Sequence, residues 1–418
     1  MKKTAVICLI FSYITYAVCQ EPDGGDLTDL INQVFSTTTT NNPNKESPNR
    51  GGGNGDGDRD NSGGGVNLEP NTKPGGIPGT EQCTCVPYYL CYNGSVNTNG
   101  EGVIDIRIND GPCGDYIDIC CDKGKTTTDP ILPRKPEKKG GCGQRNPDGI
   151  AFRITGDKDD EAQYGEFPWM VAVLKEETVQ GSSQVLNVYQ CGGALIHPRV
   201  VLTAAHCVTG KNKKFKIRAG EWDTQTKKEL YPHQDRQVQQ VISHREYYAG
   251  ALFNDVALLY LESPVEIAEN VDVVCLPPQD AVYDNSRCFA SGWGKDEFGK
   301  KGKYQIILKK IELPVVPRDT CQSELRKTRL GEYFELHPSF ICAGGEKGKD
   351  TCKGDGGSPL VCPIQGQADR YVHVGIVAWG IGCGEDSTPG VYASVAKFRK
   401  WIDTQMNLLD IRERPYEY

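Results

Sequence analysis

Basic residues are in the minority: 47 Lys and Arg stand against 55 Asp and Glu, a formal charge of -8. That balance argues against nucleic acid or an anionic membrane as the main partner, since both reward a basic face. No apolar run past residue 18 approaches the roughly 20 residues a bilayer-spanning helix needs. Between Gln20 and Gln82 there is no cysteine, and Phe35 is the only aromatic residue. Such a stretch, with Gly51-Gly52-Gly53 and Gly63-Gly64-Gly65 set among Asn, Asp, Thr and Pro, cannot bury enough apolar surface to offset its ordering entropy. It is expected to be a disordered tether.

What the chain does have is cysteine and glycine, 18 and 48 in 418 residues. That many thiols point to structural disulfides and an oxidising compartment. Lys2 and Lys3 precede an apolar run from Ala5 to Val18, with small residues before Gln20, which predicts a signal peptide over 1–19 and a secreted protein. Its removal takes Cys8 and Cys19 and leaves 16 cysteines, an even number.

Six of these, Cys83, Cys85, Cys91, Cys113, Cys120 and Cys121, fall within about forty residues, the density of a module too small for a proper core. The cluster holds no His, which disfavours a metal site. Asn93-Gly94-Ser95 is the only glycosylation sequon, on Asn93. A polar connector rich in Lys, Pro and Thr, 122–141, separates the 83–121 module from the long segment 142–418. Short β-branched runs such as Trp169 to Leu174, Val200 to Leu202 and Val374 to Val377 mark that segment as an all-β barrel architecture, with one helix expected from Ser394 to Asn407.

Three strings carry the chemistry: Leu202-Thr203-Ala204-Ala205-His206-Cys207, Asn254-Asp255-Val256-Ala257 and Cys352-Lys353-Gly354-Asp355-Gly356-Gly357-Ser358-Pro359. In that order, and with Gly192-Gly193, Gly292-Trp293-Gly294 and Pro389-Gly390-Val391-Tyr392, they resemble the His, Asp and Ser regions of chymotrypsin-like proteases. The resemblance implies a two-barrel trypsin-like domain in which His206 is the base and Asp255 orients it. Where the family reads Gly-Asp-Ser-Gly-Gly-Pro, this chain reads Gly-Asp-Gly-Gly-Ser-Pro, so Gly356 stands at the nucleophile position and has no side chain to attack with. Ser358 lies two residues further on, too far along the chain for the contact near 3 Å that proton transfer requires. The expectation is a pseudoenzyme.

The front module then resembles an arthropod clip domain, and the whole chain a clip-domain serine protease homologue. That resemblance implies the pairs Cys83 with Cys120, Cys85 with Cys113, Cys91 with Cys121, Cys142 with Cys275, Cys191 with Cys207, Cys288 with Cys362, Cys321 with Cys342 and Cys352 with Cys383. It implies a remnant specificity pocket at Asp350, Gly380 and Gly390, with Ala378 in place of a usual Ser. It also implies a Ca²⁺ loop bracketed by Glu221, Asp223 and Asp235, with Glu229 as the alternative ligand, since hard oxygen donors suit that ion. The family's activating cut would fall in Arg153-Ile154-Thr155-Gly156-Asp157, which departs from Ile-Val-Gly-Gly, so a cut within the clip interval after Arg107, before Ile108, is expected instead.

The function so implied is that of a secreted binding cofactor in the melanization immune cascade. Its partners would be prophenoloxidase, an active clip-domain protease, or further copies of itself after cleavage. Two other readings are a pathogen-recognition or adhesion pseudoprotease and a weak trypsin-like protease. A fluorophosphonate label separates the enzyme from the others, and pull-down on microbial polysaccharide separates the recognition protein from the cofactor.

Overall fold

The structure is a computed structural model that describes residues 83–92, 102–105 (backbone), 113, 116–131, 140–150, 152–155, 160–178, 185–210, 213–295, 303–348, 355–382 and 386–418. The front module is built on two short antiparallel strands, β1 (Thr84–Pro87) and β3 (Asp118–Cys121). Cys83–Cys120, Cys85–Cys113 and Cys91–Cys121 fasten them. A further strand, β2 (Gly102–Asp105), leaves this pair and runs parallel to β4 (Phe152–Thr155). The polar stretch that follows β3 packs back on the module. Backbone bonds from Tyr92 to Lys125 (2.7 Å), Thr127 to Leu90 (2.9 Å) and Ile131 to Tyr89 (2.8 Å) stitch it to the module as far as Ile131. The reason is elementary: the backbone groups after β1 need partners, and the polar stretch supplies both donors and an acceptor.

The remainder forms two closed barrels of six strands each, the chymotrypsin-like arrangement expected. The first contains β5 (Met170–Thr178), β6 (Val185–His197), β7 (Val200–Thr203), β8 (Phe215–Ala219), β9 (Gln234–Ser243) and β10 (Ala257–Leu261). The second contains β11 (Arg287–Gly292), β12 (Lys309–Val316), β13 (Phe340–Gly344), β14 (Pro359–Pro363), β15 (Tyr371–Trp379) and β16 (Pro389–Ser394). Apolar residues of β5, β7 and β14 are buried on both faces, because a strand covered inside by the barrel core and outside by the rest of the domain needs no polar side. Cys142–Cys275, Cys191–Cys207, Cys288–Cys362 and Cys321–Cys342 brace this domain, whereas Cys352 and Cys383 lie outside the described residues.

Besides a 3₁₀ turn at Tyr88–Leu90, three α-helices are present among the described residues: α1 (Ala205–Val208), α2 (Arg318–Arg326) and α3 (Val395–Leu408). The last starts one residue later than expected, with Ser394 as its cap. Helix α2 goes unannounced in the sequence, since its polar face dominates and only Cys321 and Leu325 are buried. No helix among the described residues is long and apolar enough to cross a membrane.

Candidate active-site remnant

The site forms where the two barrels meet. Helix α1 follows β7 after one residue, Ala204, and carries His206, and the next residue, Cys207, is tied to Cys191 of β6. The ring is therefore anchored through its neighbour. Asp255, fully buried just ahead of β10, accepts the His206 backbone N–H at Oδ1 (2.8 Å) and faces ring Nδ1 with Oδ2 (2.6 Å). With Nδ1–H as donor, Nε2 presents its lone pair to the cleft, the arrangement a general base requires.

Among the described residues, nothing stands opposite it that can lose a proton. Gly356 lies three residues before the start of β14, its carbonyl accepting the Gly192 N–H at 3.0 Å. A Cβ built on Gly356 would fall 2.7 Å from His206 Nε2, so the two residues are direct neighbours and the nucleophile's place is held by a backbone alone. Gly357 is required in that turn: its φ is +78°, and a Cβ there would come within 2.3 Å of Thr203 Oγ1. Ser358 is fully buried, and a Cβ on Gly192 would fall 2.0 Å from its Oγ. Its hydroxyl thus lies between Gly192 of β6 and Gly292 of β11, while the His206 side chain keeps 27% exposure to the cleft. Asp355 turns its Oδ1 to the Gly294 N–H at 2.9 Å.

Gly380 follows β15, Gly390 lies buried in β16 opposite Ala343, and Ala378 is buried in β15. Asp350, Arg107, Ile108 and Asn93 lie outside the described residues. Among the described residues, one cluster has the spacing of metal ligands, Cys191, His206 and Cys207, and both its sulfurs are spent in a disulfide.

The acidic loop is rearranged relative to expectation. Both oxygens of Asp235 accept from the Arg218 guanidinium, at 2.8 and 3.2 Å. Arg218 also holds Glu221 at 3.0 Å, and this buried cation inside β8 is why Asp235 is drawn away. Glu229, the alternative ligand, is instead buried with Glu221 and Asp223. Burial, then the charges of Glu221 and Asp223, push its carboxyl up to about 8. Glu221, Asp223 and Glu229 thus form a group of buried carboxylates, but their oxygens do not converge at the spacing of metal ligands.

The same loop is the seat of the front module. Tyr116 donates its hydroxyl to Asp223, and Lys228 binds Asp118 at 2.7 Å. Tyr88 packs edge-on against Phe152 (5.3 Å between centroids), which stacks on Tyr164 and meets Trp222. Tyr116, Lys228, Arg218 and Gln163 escape a reading of motifs. Only Arg218 carries a signal, a charge within the apolar alternation of a strand.

Comparison with known proteins agrees with this geometry. A family model described as trypsin matches residues 157–402, and one described as serine protease clip domain PPAF-2 matches residues 72–122. A protein of Galleria mellonella named phenoloxidase-activating factor 2 is 60% identical over 297 residues, 69% of this chain and 98% of that protein. Two proteins of Anopheles gambiae, named inactive CLIP domain-containing serine proteases A8 and A28, are each 38% identical, over 76% of this chain and 87% of theirs.

Proposed function

Because the chain belongs to the trypsin family and carries a clip domain, we propose that it is a secreted, non-catalytic cofactor of prophenoloxidase activation in the melanization response. It acts by docking prophenoloxidase or the clip-domain protease that processes it, and associates with further copies of itself once cleaved. The observation that carries this reading is Gly356 at contact distance from the ring of His206. In subtilisin, loss of the serine nucleophile costs about 10⁶ in kcat, so a glycine there leaves binding as the only useful property of the cleft. The names of its relatives, a phenoloxidase-activating factor and inactive CLIP proteases, support both halves of the reading.

Ca²⁺ at the loop of Glu221, Asp223 and Glu229 would neutralise the buried carboxylates, and since their oxygens do not converge at ligand spacing, binding would require the loop to rearrange. The decisive experiment is reconstitution of phenoloxidase activity from prophenoloxidase and its activating protease, with and without this chain. Activity that needs the chain and survives His206→Ala supports the cofactor. Full activity in its absence, together with retention on microbial polysaccharide, would transfer the assignment to a recognition protein.

A further inference from the structure

Strand β4 is occupied along both edges. On one edge the Ile154 N–H donates to Gln163 Oε1 at 2.7 Å, and Gln163 Nε2 donates to the Ile154 carbonyl at 3.1 Å. The carboxamide thus imitates a neighbouring strand. Gln163 is buried, and its own N–H is fixed on Glu166 Oε2 at 2.7 Å. Glu166 is in turn clamped by Arg145 and by Lys310 at 2.8 Å. On the other edge runs β2, in the parallel register Val103 with Arg153, Ile104 with Ile154 and Asp105 with Thr155.

Backbone groups of an extended strand face alternate edges. Since Ile154 directs both of its groups to Gln163, Arg153 and Thr155 direct theirs to β2. A trypsin-like protease attacks the carbonyl of the arginine it recognises and must hold that oxygen with its own N–H donors. Here the Arg153 carbonyl faces the β2 ladder. The side chain tells the opposite story: it is 60% exposed, with Asp148 at 3.3 Å as its ion-pair partner. On the far side of the bond Ile154 is 1% exposed in the core. The recognition element is displayed and the bond is withheld.

We propose that Arg153–Ile154 is a guarded proteolytic site whose guard is the clip-domain segment Gly102–Asp105, and that the bond opens to a protease only when β2 leaves β4. The guard lies in the interval between Cys91 and Cys113, so whatever loosens that interval also exposes the bond.

Limited trypsin digestion of the full chain, followed by N-terminal sequencing, tests this. In the native protein, fragments beginning at Ile154 should form at least tenfold more slowly than fragments from a cut after Arg245, whose side chain is 87% exposed. Ile104→Pro removes a ladder N–H from β2 and should raise the Ile154 fragment at least tenfold. Equal native rates at the two arginines, or no acceleration in the folded variant, would overturn the proposal. Should the variant fail to fold, hydrogen exchange of the native chain decides: the amides of 153 and 155 must open together with those of β2, and independent opening sinks the idea.

Discussion

His206 Nε2 lies 2.7 Å from the point where a Cβ on Gly356 would stand, closer than side-chain carbons approach a ring nitrogen. The ring has settled onto the glycine backbone while keeping its 2.6 Å contact with Asp255. Base and orienting acid are therefore retained in working geometry around an empty role.

It follows that arginyl amide substrates should not be turned over, even after proteolytic processing, and that a fluorophosphonate should not label the protein. Gly356→Ser should recover at most a trace of activity, because its Cβ must first displace the His206 ring and Ser358 remains in the turn. Active-site titration of both proteins checks this. Stoichiometric labelling of the wild type would refute catalytic silence.

The clip domain should be held by packing more than by charge. Lys228 is 42% exposed, so solvent screens its pair with Asp118, and a double-mutant cycle at 118 and 228 should give a coupling of about 1 kcal/mol or less. Tyr88→Ala, which removes a buried ring from Phe152, should cost about 3 kcal/mol. Denaturant titration measures both. An unchanged midpoint for Tyr88→Ala would mean that the docked arrangement does not persist in solution.

His373 sets an acid limb on stability. It is fully buried in β15, its Nε2–H donating to the Gly375 carbonyl at 2.9 Å, and burial lowers its pKa from 6.5 to about 3. Above pH 6.5 both folded and unfolded forms are neutral. Between 6.5 and 3 only the unfolded form takes the proton, so stability should fall by about 1.4 kcal/mol for each pH unit of acidification. His373→Gln, which can still donate to Gly375, should lose that slope. Parallel stability curves from pH 7 to 4 would exclude the assignment.

If Glu221, Asp223 and Glu229 hold Ca²⁺, a hundredfold excess over Kd should add about 2.7 kcal/mol to stability. EDTA should lower the melting temperature and speed proteolysis near Glu229. Glu229→Gln should blunt the response to Ca²⁺, and Asp235→Asn should leave it intact, since Asp235 serves Arg218. Identical melting with Ca²⁺ and EDTA would leave the loop merely acidic.

The barrels, the His206 and Asp255 pair and the missing nucleophile at Gly356 are legible in the sequence because each rests on local pattern: strand periodicity, and residue types in fixed short strings. The contacts that place the clip domain are not. Tyr116 and Asp223 are 107 residues apart, and nothing near either one announces the other. Gln163 reads as an ordinary polar residue until the fold brings it alongside Ile154. Asp235 is claimed by Arg218, which the barrel buries, and burial of a charge is decided by tertiary packing.

The regulatory cut is expected after Arg107, two residues beyond β2 and outside the described residues. Trypsin-like upstream proteases cut after Arg, and Arg107 lies in the long interval between Cys91 and Cys113. Each of the bridges Cys83–Cys120, Cys85–Cys113 and Cys91–Cys121 joins a residue before this bond to one after it, so the two pieces must stay together until reduced. New chain ends then appear on the clip surface without loss of its frame, a change suited to opening a docking or self-association surface in a protein that has no catalysis to switch on. Processed protein should therefore run as two fragments only after reduction, and the second should begin at Ile108. It should also bind prophenoloxidase, or itself, more strongly than the precursor. Full cofactor activity in Arg107→Gln after exposure to the upstream protease would show that the activating cut lies elsewhere.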